Sequence, residues 1–142
     1  MNVKQALKLK NKLIEELNGL YEVARLNNSI EVGNVRHFSV EASLDEAKTK
    51  AAELAELKSK IHVANAPVYG KIFLLSEYKN YVKELRAIST EEGKVYGHYS
   101  SVAQMKEVEL NAKDIKERIT LLEDEIGALQ DELDMHNLTT EI

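Results

Sequence analysis

The sequence predicts a mainly α-helical protein, a four-helix, coiled-coil-containing bundle with a small β-hairpin or short sheet. Three observations lead there. Ile115, Ile119, Leu122, Ile126, Leu129 and Leu133 alternate at heptad spacing until His136 takes the last position, which is the pattern of a coiled-coil seam. Three earlier segments carry apolar stripes at helical period. With 44% apolar and 30% charged residues and a single proline, Pro67, the composition is that of a packed helical chain rather than a disordered one. A length of 142 residues fits one domain, 1–142, with a modest core.

The first helix is expected over about 3–26, where Ala6, Leu9, Leu13, Leu17, Leu20 and Ala24 share a side. Asn27 and Asn28 end it, because their side chains compete with the backbone and tolerate left-handed geometry. In the irregular or β segment 27–42, Ile30 and Val32 before Gly33-Asn34, then Phe38 and Val40, read as a small hairpin. Ser43 followed by Glu46 has capping-box spacing and opens a second helix, about 43–64. Asn65-Ala66-Pro67 closes it, since the residue before proline avoids helical geometry. A third helix follows over about 73–89, with a wide stripe including Leu74, Leu75, Tyr78, Tyr81, Val82 and Leu85. The second irregular or β segment is 90–110, in which Met105 to Leu110 alternates as a strand that would pair with the early hairpin, although its composition would also suit a helix. Asn111, with Asp114 three residues on, caps the last helix, about 111–137.

Charge and composition exclude several functions. A net charge of −5 disfavours a nucleic-acid polymer as partner, because such binding needs a basic surface to replace condensed counterions. The absence of cysteine removes disulfides, zinc-thiolate sites and thiol nucleophiles, and suits a reducing cytoplasm. No apolar run approaches the roughly 18 residues of a membrane span, and no charged-then-apolar leader opens the sequence, so the expectation is a cytoplasmic protein with no membrane partner. The first helix leans basic and the last acidic, so Lys8 and Lys12 are candidates to face the acidic C-terminal helix.

No catalytic signature is present. His37, His62, His98 and His136 have no metal-ligand spacing, and neither a metal nor a cofactor is expected. His136 is expected at a frayed helix end. Gly70-Lys71 resembles the end of a phosphate loop, but Asn65 and Ile72 stand where that motif requires Gly and Ser or Thr. What remains is polar side chains at helix junctions: Arg25 and Asn28 at the first, Asn65, Tyr69 and Lys71 at the second, and Tyr96, His98, Tyr99 and Ser101 at the third. Were the first five to converge, Arg25 and Lys71 would neutralise an anion, Asn28 and Asn65 would read donors and acceptors, and Tyr69 would stack on a ring. The alternative is that the asparagines are caps and the tyrosines packing.

The closing segment His136-Asn137-Leu138-Thr139-Thr140-Glu141-Ile142 resembles the Asn-Trp-Thr-Thr-Glu-Leu end of small bacterial and phage proteins of the septicolysin-like family. Ala6-Leu7, the Asn27–Gly33 stretch and Ile61-His62-Val63-Ala64-Asn65-Ala66 resemble further segments of that family in the same order. Leu138 replaces the family's tryptophan, and His62-Val63-Ala64 its Asn-Arg-Thr run. The resemblance implies a helical, oligomeric protein and carries no activity. The lysin name points to a pore-forming toxin, but this chain has neither a spanning segment nor a lipid-seeking amphipathic hairpin.

The expectation is therefore a noncatalytic, homo-oligomeric binding protein that associates through its C-terminal helix. It would capture a small anionic, nucleotide-like ligand, as a phage-type sponge for immune signals would. The alternative is a coiled-coil scaffold whose only ligand is another protein.

Overall fold

The structure is a computed structural model that describes residues 1–97 and 102–142. It is mainly helical with one small antiparallel sheet, the fold class expected from sequence. In order come α1 (Val3–Asn27), α2 (Val40–Asn65), a 3-10 turn (Ala66–Val68), α3 (Tyr69–Ala87), β1 (Gly93–Tyr96), β2 (Ala103–Lys106) and α4 (Ala112–Thr139). The chain divides into two compact units, residues 1–68 with 135–142 and residues 69–134.

In the first unit α1 starts from a capping box that the sequence reading passed over. The Asn2 side chain accepts from the Gln5 amide at 2.9 Å, and the Gln5 side chain accepts from the Asn2 amide at 2.9 Å. Ala6, Leu13 and Leu17 then pack against Ala47, Leu54, Leu57 and Ile61 of α2 in one buried cluster. Ala6 and Ala47 are 0% and 1% exposed. The two backbones run close together along this cluster. The Val3 amide donates to the Thr140 carbonyl at 3.0 Å, and the Ile142 amide to the Met1 carbonyl at 3.0 Å, which seats the C-terminal tail beside the start of α1.

Two expectations in this unit are corrected. The second helix begins at Val40, because Ser39 is its cap and accepts from the Ala42 amide at 3.1 Å. Ser43 lies one turn inside, its amide already bonded to the Ser39 carbonyl. The hairpin expected over 29–40 does not form among the described residues. Gly33 adopts the positive φ of a turn, +95°, and Asn34 bonds back to Glu31, but the flanks find nothing to pair with. Val32, Val35 and Phe38 stay exposed. Arg36 ties the loop down instead, donating to the carbonyls of Asn27 at 2.7 Å and Asn28 at 3.1 Å and so satisfying the open end of α1.

In the second unit α3 begins at Tyr69 rather than Phe73. Pro67 is accommodated in the 3-10 turn, where its missing N–H costs nothing, and Tyr69 stacks on Phe73 one turn on, with ring centroids 5.8 Å apart. Asn111 caps α4 as expected, reciprocally with Asp114 at 2.9 and 3.1 Å. Lys71 pairs with Glu132 and, further along α3, Arg86 pairs with the earlier Glu123, so α3 and α4 run antiparallel. The α3 stripe of Leu75, Val82 and Leu85 and the α4 seam residues Ile115 and Leu133 are buried, while Ile119, Leu122, Ile126 and Leu129 are half-buried. Of the strand expected over 105–110 only Met105 and Lys106 lie in a strand, β2, which pairs with β1, from Gly93 opposite Lys106 to Tyr96 opposite Ala103, and not with the early segment. Short sequence separation favours this local partner because less chain entropy is lost in closing the loop.

Candidate functional site

The five residues singled out from sequence occupy four different local settings. Arg25 is exposed in the last turn of α1 and has no charge partner among the described residues. Asn28 is the C-cap of α1; its amide bonds to the Ala24 carbonyl and its own carbonyl accepts from Arg36. Asn65 ends α2, and its side-chain oxygen meets Nε2 of His136 at 3.2 Å. Tyr69 and Lys71 lie in the first turn of α3, Tyr69 stacked on Phe73 and Lys71 paired with Glu132 at 2.5 Å. Tyr96 is exposed at the end of β1, and His98, Tyr99 and Ser101 lie outside the described residues.

His136 is not at a frayed end. The helix continues to Thr139, and Nδ1 of His136 faces the Thr140 hydroxyl at 3.1 Å. Because an amide oxygen only accepts, the bond to Asn65 puts the ring proton on Nε2, leaving Nδ1 to accept from Thr140. This chain of bonds joins the end of α2 to the tail. Asn2 strengthens the same junction by donating from Nδ2 to the Leu138 carbonyl at 3.2 Å. The Asn65–His136 partnership spans too much sequence for local spacing to reveal.

Beyond that junction the first unit has a concavity of about 480 Å³ in the loop before α2, lined by residues that include Asn27, Asn34, Arg36 and Phe38. The guanidinium there already donates to two carbonyls. No group of three or more acidic, histidine or cysteine side chains among the described residues is arranged to hold a metal ion. Among the same residues no helix is long and apolar enough to cross a membrane.

The second unit presents a different kind of surface. Leu74, Tyr81 and Leu121 are 40%, 52% and 69% exposed on regular, well-packed helices. A groove of about 410 Å³ between α3 and α4 is walled by Tyr78, Tyr81 and Leu122 with Glu77, Asn80 and Glu84 at its rim. A smaller one of about 190 Å³ adjoins it, lined by Tyr81, Arg118, Leu121, Leu122 and Glu125. The shared walls, Tyr81 and Leu122, make one apolar face with a charged border. The sequence signal for it was present in the width of the α3 stripe, which exceeds what one neighbouring helix can cover.

Comparison with protein-family models, curated proteins and solved structures returns no match. The functional reading therefore rests on the geometry.

Proposed function

We propose that this chain is a noncatalytic assembly protein of the reducing cytoplasm, which works by associating with copies of itself through the α3–α4 hairpin. The observation that supports this reading is the apolar face of Tyr81, Leu121 and Leu122, left partly open although α3 and α4 are already held together by two ion pairs. Two helices bury one stripe each, and a second stripe gains free energy only when another surface covers it. Capture of a small anionic ligand by Arg25, Asn28, Asn65, Tyr69 and Lys71 ranks below this. The charge of Lys71 is already met by Glu132, so an incoming anion would have to displace that carboxylate, and the Asn65 side chain is engaged through its oxygen by His136.

Sedimentation equilibrium across a wide concentration range, with native mass spectrometry of the protein as purified, tests the reading. A mass above the monomer with no retained small molecule is the expected result. A monomer at every concentration overturns self-association, and a stoichiometric retained anion restores the capture reading.

A further inference from the structure

On the assembly reading above, the remaining question is which surface meets which, and α4 carries a pattern that answers it. Arg118 and Glu125 are one heptad apart on the border of the Tyr81–Leu121–Leu122 face, and both are exposed. Neither takes part in an ion pair among the described residues, whereas Glu123 and Glu132 of the same helix are engaged by Arg86 and Lys71 of α3. Leu121 and Leu122 lie midway between Arg118 and Glu125 in the sequence.

We propose that a second copy of this chain docks on this face about a two-fold axis that passes α4 beside Leu121 and Leu122. In an antiparallel pairing of α4 with its copy, position 118 falls opposite position 125, so each Arg118 meets a Glu125 and each Glu125 an Arg118. The same axis brings Leu121 against Leu122 of the other copy. A pattern that matches itself under two-fold rotation is what an isologous dimer requires. The apolar centre, with Tyr81 beside it, provides the area removed from water. The two reciprocal charge pairs set antiparallel register, since exposed pairs direct orientation more than they add affinity. A parallel pairing in register would instead place Arg118 against Arg118 and Glu125 against Glu125.

The test is a charge swap read by sedimentation velocity, with circular dichroism to confirm helicity. Arg118→Glu places two glutamates at each contact and Glu125→Arg two arginines, and each variant alone should dimerise at least about tenfold more weakly than the parent protein. An equimolar mixture of the two restores both opposite-charge pairs, and native mass spectrometry should find the mixed dimer in excess. High salt should narrow the gap between variants and parent. If the parent chain is an oligomer but both variants associate as well as it does, or their mixture shows no preference for the mixed dimer, this interface is wrong and self-association stands. If the parent chain is monomeric throughout, both fail and the face belongs to a different partner.

Discussion

The α1–α2 hairpin and the α3–α4 hairpin share one topology but close their interfaces differently. In the first, Ala6 and Ala47 sit in the seam and the helices approach closely enough to gather seven buried side chains in one cluster. In the second, the buried positions are Leu, Val and Ile, with aromatic and long aliphatic residues at the margins, and the backbones stand further apart. The difference teaches that a helix pair whose buried residues form one connected cluster can enclose a core by itself, whereas a pair with exposed aromatic and aliphatic residues at its margins leaves grooves at its edges. In this chain those grooves are the candidate interaction surface.

The largest expected effect separates the two hairpins by the same substitution. Leu54 and Leu85 are 8% and 5% exposed, but Leu54 lies within the connected cluster and Leu85 borders a groove. Leu54→Ala should cost about 3–4 kcal/mol, and Leu85→Ala nearer about 2 kcal/mol because its surroundings can collapse into the space. Urea unfolding measures both. Equal losses would show that the second hairpin is as tightly enclosed as the first, and would remove the contrast on which the interface argument depends.

A smaller effect sharpens the account of how the first hairpin is set up. Ser39→Ala should cost about 1 kcal/mol, as loss of a helix cap does, while Ser43→Ala should stay within about 0.5 kcal/mol. The opposite order would mean that α2 starts where its capping-box sequence suggests and that Val40 to Ala42 are frayed.

The smallest expected effect concerns charge. Glu16 accepts from Lys50 at 2.7 Å across the α1–α2 interface, and this hydrogen bond, more than the nearby positive charge, holds the Glu16 carboxyl below its ordinary value of 4.5. A lowered folded-state pKa contributes stability above the unfolded value and loses it as pH falls through the folded one. Lys50 is raised above 10.5 chiefly by the same bond, so its share is present below that value and lost as pH rises further. Glu16→Gln should therefore lower the melting temperature slightly near neutral pH and make no difference in strong acid, with added salt shrinking the gap. A loss that persists in acid would point to packing. Lys12, expected to face the acidic last helix, is 3.8 Å from Glu16 on its own helix.

The sequence determined the helices. Apolar residues recurring at 3.6 and 3.5 spacing identify α1 to α4, and Asn111 with Asp114 marks the start of α4, because helix formation and capping are settled by residues within one or two turns. It also held the Asn2–Gln5 box and the excess width of the α3 stripe. What it could not decide was which of two equally good local signals would be used. Ser39 and Ser43 both qualify as caps, and the Gly33-Asn34 turn is sound in itself. The flanks of that turn stay unpaired, and Arg36 instead closes the carbonyl end of α1. The candidate site was hidden for the same reason. Whether Lys71 is a free cation or the partner of Glu132, and whether His136 is a loose end or bonded to Asn65, depends on residues far apart in the chain. Local spacing fixes which side of a helix a residue is on; only tertiary packing decides what that side meets.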